Sequence, residues 1–337
     1  MVTQILTYAA KFVSVLVFNN IIVMQLLGVI IMGFQVAVYA IYFQRRYKWI
    51  DHNVRSDMSL LEHRKYYVVQ QIGGLVFNST DTFVLSIFCG LKVASVYTTY
   101  AMVYSAVSTV IGIVRSSTGF VLGQSYYQGD QVFKRTYNVY TSVQVTIGCI
   151  LSSVSLLLIT GFISLYTKGV EDIDYHNYLA AVLFAFNIIL DCMRGANLAG
   201  ANVAGQAPKT TWRYLAEAGI NLFVSLILVQ FYGMVGVLLG TVVAGIWRSV
   251  DSIIFFSKNV LKKNPYRELL FDAVNIGIFA LFILIGKWNL LPINSYLQFV
   301  MWGAVSLLAV TAVYFVVFAV ANRNNISGFL KVLRSKK

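Results

Sequence analysis

Apolar stretches of membrane-spanning length recur along the whole chain and leave few folds open to it. A helix that crosses the hydrocarbon core of a bilayer needs about 20 predominantly apolar residues. Stretches of about this length are separated by polar turns, and ten of them cover residues 3–18, 21–43, 66–89, 93–114, 139–162, 177–200, 213–231, 234–256, 270–287 and 295–320. The first is short and carries Lys11. Because only helices and closed barrels satisfy their backbone hydrogen bonds inside lipid, this pattern predicts an all-α, polytopic membrane protein with about ten transmembrane helices.

The composition agrees with a bilayer as the solvent of this chain. Hydrophobic residues make up 58% of the 337 positions and charged residues only 12%, too apolar a balance for one soluble core. The net charge of +13 is uneven: 19 Lys and Arg lie on one set of alternate loops and the C-terminal tail, against three on the opposite loops. The positive-inside rule therefore places both termini in the cytoplasm. Since the basic excess marks the cytoplasmic side, we expect no nucleic-acid partner.

Ionisable residues inside these apolar spans point towards function. Asp81 lies within the third span, and Arg194 and Arg248 are embedded in later ones. A charged side chain at the centre of a membrane helix costs roughly 2.5 to 3.5 kcal/mol on insertion scales, and such groups usually face a cavity. This pattern is typical of a transporter for a polar or charged substrate, rather than of a passive anchor or a soluble enzyme.

Asp81 ends a polar run that begins at Asn78. In a functional interpretation, Asp81 and Asn78 contact a polar substrate, a proton or a sodium ion. In a structural interpretation, Asp81 hydrogen-bonds a neighbouring helix. Further along the chain, Glu217 and Asn221 stand four residues apart and share one helical face, where core hydrogen bonding and cavity lining are both open.

Three arginines have the same two interpretations. Arg248 has Asp251 three residues later, and Arg194 has Asp191 three residues earlier. Each pair is either a local ion pair whose arginine extends towards water, or a guanidinium presented to a phosphate, for which its planar fork is better suited than lysine. Arg115 is a further candidate, although it lies closer to the interface.

Catalytic motifs are absent from the sequence. It contains no phosphate-binding Gly-rich loop followed by Lys and Ser or Thr, no HExxH and no Gly-x-Ser-x-Gly. The three cysteines lie in apolar spans and the three histidines have no partner at metal-ligand spacing. We therefore predict no enzymatic activity, no catalytic residue, no metal site and no cofactor beyond coupling to a proton or sodium gradient.

Two groups of residues together resemble a known family. In the first, the run from Asn78 to Asp81 precedes Gly90-Leu91 and Tyr97. The second group comprises Arg194, Gly205, Lys209, Thr210, Trp212, Arg213, Glu217, Ile220-Asn221-Leu222, Ser225, Tyr232-Gly233, Gly236-Val237 and Gly240-Thr241. In order and spacing these residues resemble bacterial polysaccharide flippases, of the O-antigen and capsule type, in the multidrug/oligosaccharidyl-lipid/polysaccharide exporter superfamily.

The resemblance implies a MATE-like fold of two six-helix lobes around a central cavity, with two added C-terminal helices. It assigns residues 1–44 to a remnant of the N-terminal lobe and 45–65 to a cytoplasmic loop. Residues 66–256 become a complete six-helix C-terminal lobe, and 257–337 become two additional helices with a basic cytoplasmic tail. About four helices of the family's N-terminal lobe have no counterpart here, so we expect a truncated N-terminal lobe.

The resemblance also implies a function at the bacterial cytoplasmic membrane. The chain is expected to flip an undecaprenyl-diphosphate-linked oligosaccharide by alternating access during lipopolysaccharide or capsule biosynthesis, among membrane lipids and polysaccharide assembly proteins. The expected substrate or coupling-ion residues are Asn78, Asp81, Arg115, Arg194, Glu217, Asn221 and Arg248. The alternatives are a MATE-type cation-coupled drug antiporter, and a non-transporting subunit or membrane enzyme of polysaccharide assembly.

The charge asymmetry yields a test of orientation. In a cysteine-free background, Asp172→Cys is expected to react with a membrane-impermeant thiol reagent added outside the cell. Lys262→Cys is expected to react only after the membrane is permeabilised, because its loop carries the cytoplasmic charge excess. Labelling of Lys262→Cys from outside, with protection of Asp172→Cys, would reverse the assignment.

Overall fold

The computed structural model describes residues 7, 9–14, 20–48, 64–288 and 291–322, and every regular element among them is an α-helix. The chain divides into two compact units, Met1–Leu61 and Glu62–Lys337. The first unit contains helix α1, Ile21–Arg46, which begins where the Asn20 side chain accepts a hydrogen bond from the Ile22 amide. It ends at Arg45 and Arg46, where cations complement the helix dipole.

Among its described residues, the second unit contains seven helices. They are α2 (Arg64–Phe88), α3 (Gly90–Tyr127), α4 (Asp130–Tyr166), α5 (Tyr178–Val203), α6 (Ala207–Asn259), α7 (Tyr266–Lys287) and α8 (Tyr296–Ala321). Helix α5 packs against α3, α4 and α6, while α2 packs on α6, and both α7 and α8 pack on α4. The side chains of α3, α5 and α6 therefore meet in the interior of this unit.

Hydrogen bonds show which turns share an end of the bundle. Lys263 in the α6–α7 turn donates to Asn138 near the start of α4 at 2.7 Å, and Arg267 donates to the Ala321 carbonyl at 3.1 Å. We call this the basic end, because it carries the excess of Lys and Arg. At the opposite end, Lys92 of α3 donates to the Asp172 carbonyl in the α4–α5 loop at 3.4 Å.

Seven of the described helices, α1 and α3 to α8, are long and apolar enough to cross a membrane. The prediction of an all-α polytopic membrane protein is therefore confirmed. Two predicted spans, 213–231 and 234–256, lie within the single element α6, and polar residues keep α2 out of this group. The predicted first span lies mostly outside the described residues, as do most of the 45–65 loop and the basic tail. The count of ten, the domain boundaries and the orientation stay predictions.

Two helices extend well beyond the predicted spans. Helix α3 continues thirteen residues past the predicted end at 114, and α4 begins nine residues before 139. Polar residues continue a helix readily outside an apolar layer, so hydropathy alone does not mark its end. The chain turns only at Gly129, whose φ of 109° is a conformation that glycine adopts readily.

Helix α6 is a hairpin of two helical arms. It is broken at Gly233, where φ is 54° and ψ is −129°. After this residue the chain returns along itself, since Ser225 of the first arm donates to the Val237 carbonyl of the second at 3.2 Å. A Cβ at Gly236 would collide with the Leu228 carbonyl oxygen, and one at Gly240 would collide with Ser225. The predicted close approach at this Gly-x-x-x-Gly is confirmed, and it fixes the axial register of the arms.

Aromatic rings pack between α3 and α5. The ring of Phe184 on α5 lies 5.0 Å from Tyr97, 6.3 Å from Tyr100 and 5.5 Å from Tyr104, measured between ring centroids. The Tyr104 hydroxyl also donates to the Ala181 carbonyl at 2.9 Å. Since the three tyrosines follow one another at helical spacing, this stack holds one face of α3 on α5.

The hairpin contact can be tested with one methyl group. Gly236→Ala is expected to destabilise the protein by about 1–3 kcal/mol, because its Cβ must push the two backbones apart. Gly219→Ala is the matched control in the same helix, since its added Cβ has no atom within 4 Å apart from its chain neighbours and the adjacent turns of its own helix backbone. It is expected to be neutral or to gain about 0.5–1 kcal/mol. Thermal unfolding in nanodiscs compares them, and equal melting temperatures would contradict the close contact.

Candidate functional site

Seven charged side chains form one continuous chain inside the second unit. Arg115 of α3 lies 2.8 Å from Asp191 of α5, measured from Nη2 to Oδ2. Asp191 also binds Arg194 at 3.0 Å, and Arg194 in turn pairs with Glu217 on the first arm of α6. Positive and negative groups alternate along this path, so each carboxylate is shared by two arginines.

The second half of the chain of charges crosses the α6 hairpin. Glu217 lies 3.5 Å from Nε of Arg248 on the second arm, and Arg248 lies 3.3 Å from Asp251. Asp251 also binds Arg213 of the first arm at 2.6 Å. Helical spacing of three and four residues places these groups on the facing sides of the two arms, so the hairpin brings them together.

Burial makes this arrangement interdependent. The Arg248 side chain is fully buried, and its guanidinium lies 4.8 Å above the Tyr214 ring. Removing one member of a buried ion pair typically costs roughly 3–5 kcal/mol, because the other charge is left uncompensated. This chain of seven charges consists of four arginines and three carboxylates, Asp191, Glu217 and Asp251. It therefore carries one net positive charge.

Asp81 anchors a second polar cluster towards the opposite end of the bundle. Its carboxylate accepts hydrogen bonds from Tyr97 of α3 at 3.0 Å, from Thr241 at 2.8 Å and from Asn221 at 3.3 Å. Asn221 also accepts from Ser225 at 3.0 Å. These donors belong to α3 and to both arms of α6, so Asp81 joins four helical segments at one point.

Two cavities border these clusters. One of about 520 Å³ is lined by Asp81, Tyr97, Asn187 and Thr241, and one of about 300 Å³ is lined by Arg115, Tyr214 and Glu217. Both are also lined by Asp191 and Arg194. The Asp191–Arg194 pair therefore separates the two spaces, and a ligand in either one meets it.

The structure brings the predicted site residues into two groups. Arg115, Arg194, Glu217 and Arg248 belong to the chain of seven charges, and Asp81 and Asn221 belong to the polar cluster. Asn78 lies in α2, but its side chain is outside the described part of the structure.

Local ion pairing and cavity lining both occur among these residues. The pairs Arg194–Asp191 and Arg248–Asp251 form, but each arginine also reaches Glu217, which local spacing did not suggest. Arg194 is 20% exposed and lines both cavities, whereas the fully buried Arg248 lines neither. Arg248 thus does not extend to water, and Arg115 and Arg194 are the arginines placed to meet a ligand.

Several polar residues of the interior were missed from the sequence. Arg213 and Tyr97 were assigned no binding role, although both contact predicted site residues or their partners. Glu268 of α7 was missed because the predicted span began at residue 270, and Asp272, inside that span, was not considered together with it. Their spacing of four, followed by Asn275, places three polar groups on one helical face, and that signal was available.

Comparison with protein-family models, with curated proteins and with solved structures finds no match to this chain. The resemblance to polysaccharide flippases therefore rests on the residues quoted above and remains a proposal.

The shared role of Glu217 predicts a specific pattern of stability. Glu217→Gln is expected to destabilise the protein by roughly 3–5 kcal/mol, because Arg194 and Arg248 lose their common counter-ion. Combining Glu217→Gln with Arg248→Gln also removes one of the two positive charges that had shared Glu217, so the double variant is expected to lose less than the sum of the single losses. Thermal unfolding measures this coupling.

Glu171→Gln is the matched control, since Glu171 is exposed in the α4–α5 loop. Its effect is expected to lie within about 0.5 kcal/mol of zero. Strict additivity of the two substitutions at Glu217 and Arg248 would show that the two residues do not interact.

Proposed function

We propose that this chain is a membrane transporter that exports a lipid-linked oligosaccharide across the bacterial cytoplasmic membrane. The observation that carries the proposal is the net positive chain of charges, which reaches two cavities through Arg115 and Arg194. A net charge is expensive inside a membrane protein, so an arrangement of this kind favours a substrate that supplies the missing negative charge.

A diphosphate group fits the two arginines. Guanidinium groups bind phosphate oxygens through paired, directional hydrogen bonds, which a compact ammonium cannot reproduce. Arg115 and Arg194 share Asp191 and line the smaller cavity together. The proposed diphosphate exchanges with part of this carboxylate pairing, so binding does not have to uncover a fully buried arginine.

The larger cavity suits a sugar. Its lining residues include Ser105 and Ser108, which carry hydroxyl groups, together with Asn187, Asp81 and the ring of Tyr104. Aromatic and hydroxyl surfaces of this kind match a ligand with many hydroxyl groups. In the proposal, Asp81 contacts sugar hydroxyls or the coupling proton or sodium ion, and Asn221, which lines neither cavity, holds Asp81 in position through its amide. Alternating access then moves the glycan across the membrane.

A MATE-type drug antiporter is the second candidate function. It is favoured by the position of Asp81, a carboxylate that lines the larger cavity and is able to attract a cationic drug or a coupling ion. In that case the arginines serve structure alone. The two functions therefore differ in which charge, Asp81 or Arg194, determines the ligand.

Equilibrium binding distinguishes them. The purified protein in nanodiscs is titrated with undecaprenyl diphosphate, with undecaprenol as the uncharged comparison. We expect the diphosphate to bind at least about tenfold more tightly, a difference of about 1.4 kcal/mol. Arg194→Lys is expected to remove most of this preference, because it keeps the charge and loses the planar fork.

Arg267→Lys is the control, since Arg267 lies at the exposed surface of the basic end. Equal affinity for the diphosphate and the uncharged lipid, or full binding by Arg194→Lys, would reject the phosphate site. If Asp81→Asn then abolished binding of a lipophilic cation that Arg194→Lys still binds, the antiporter would be the better assignment.

A further inference from the structure

A separate polar face lies on α7, away from both cavities described above. Glu268, Asp272 and Asn275 follow one another at spacings of four and three residues, so they line one side of the helix. Asp272 is 2% exposed and Asn275 is fully buried. Asp272 lies about 9 Å along the helix axis from the start of α7, at about 1.5 Å per residue. This face packs against α4 and is not solvated.

Glu268 has protein partners on three sides. Its Oε1 lies 2.9 Å from the Tyr137 hydroxyl of α4 and accepts from the Asn197 amide of α5 at 3.0 Å. Its Oε2 lies 3.8 Å from Nζ of Lys263, in the α6–α7 turn. Burial lowers the pKa of Lys263, and the charge of Glu268 opposes that effect. The Glu268 carboxylate is thus balanced by a cation and by hydrogen-bond donors.

Asp272 has no such balance. Among the described residues, neither of its carboxylate oxygens has a hydrogen-bond partner, and the Asn275 Oδ1 atom also has none. An ionised carboxylate buried without a donor or a counter-ion is far more expensive than a neutral carboxyl group. The acidic partner four residues earlier adds repulsion to that cost. The geometry therefore favours a neutral Asp272.

A cavity at the basic end connects this face with its surroundings. It has a volume of about 250 Å³ and is lined by Tyr137, Thr141, Lys263, Arg267 and Glu268. Glu268 therefore stands between the cavity and Asp272, one helical turn deeper. A proton that enters the cavity meets Glu268 before it reaches Asp272.

We propose that Asp272 is a proton-binding site of the α4–α7 interface, loaded from the basic-end cavity by way of Glu268. Proton binding forms one O–H bond on Asp272 and neutralises its charge, and it requires no other ligand. A sodium ion would need a shell of several oxygens instead. The inference does not depend on the proposed transport function, because it concerns a different helix face.

The surroundings of Asp272 contain other groups that titrate. They are Glu268 on α7, Tyr137 and Cys149 on α4, Cys192 on α5 near Cys149, Lys263 in the α6–α7 turn, and Tyr314 on α8 next to Cys149. The positive charge of Lys263 is paired with Glu268, so it compensates Asp272 only weakly. A test must therefore assign the proton to one carboxyl group.

Infrared spectroscopy of the complete chain in nanodiscs makes that assignment. With ¹³C in the aspartate side chains alone, a protonated aspartic acid gives an isotope-shifted C=O band. We expect this band at neutral pH in the wild type and expect one component to be lost in Asp272→Asn. Asp174→Asn is the matched control, since Asp174 is exposed in the α4–α5 loop, and it should retain the whole band. Glu268→Gln should slow the loading of the proton after a pH jump.

A second variant covers a failure of Asp272→Asn to fold. In Asp272→Glu, the labelled component should disappear and an unlabelled carboxyl band should replace it. An unchanged labelled band in either variant would overturn the proposal. So would a wild type that shows no protonated aspartate at neutral pH but is stabilised by sodium ions only when Asp272 is present. Neither outcome bears on binding of undecaprenyl diphosphate, so the two proposals fail separately.

Discussion

The sharing of each of three carboxylates between two arginines is the interaction on which the interior of the second unit depends. Asp191 joins α3 to α5, Glu217 joins α5 to both arms of α6, and Asp251 joins the two arms again. Contacts between apolar side chains have no preferred direction, so they determine the position of a helix along its axis only weakly. Pairs of opposite charges at fixed positions determine it. The chain of charges thus sets the register of three helices and holds Arg194 between the two cavities.

The hairpin at Gly233 makes this arrangement possible. Since Gly236 and Gly240 allow the two backbones to touch, the arms lie close enough for Glu217 to reach Arg248 and for Arg213 to reach Asp251. The same register places Thr241 and Asn221 on Asp81. Small residues at one end of the hairpin therefore govern polar contacts at two separate depths, and a loss of contact at Gly236 would disturb both clusters together.

The sequence predicted the helices better than it predicted the contacts between them. Apolar length located the helices, because hydrophobic span and helix coincide in a membrane, but α3 and α4 continue into polar sequence until Gly129 ends them. Six predicted site residues fall into the two clusters, since charge inside an apolar span is a strong signal. Their partners were predicted from local spacing, which finds Asp191 beside Arg194 but not Glu217, more than twenty residues away. Asp272 was missed because the predicted span 270–287 excluded Glu268, so the spacing of four residues between the two carboxyl groups was not noticed.

Asp81 and Asp272 are both buried aspartates, but the hydrogen-bond donors around their carboxyl groups differ. Asp81 accepts hydrogen bonds from three donors on neighbouring segments, and these bonds oppose the cost of burying its carboxylate. Asp272 has no donor among the described residues and has Glu268 one turn away, an environment that disfavours the charge. Since hydrogen-bond donors favour the ionised form of a carboxyl group and burial without donors favours the neutral form, the contacts around each aspartate, and not the residue type alone, decide how it responds to a proton.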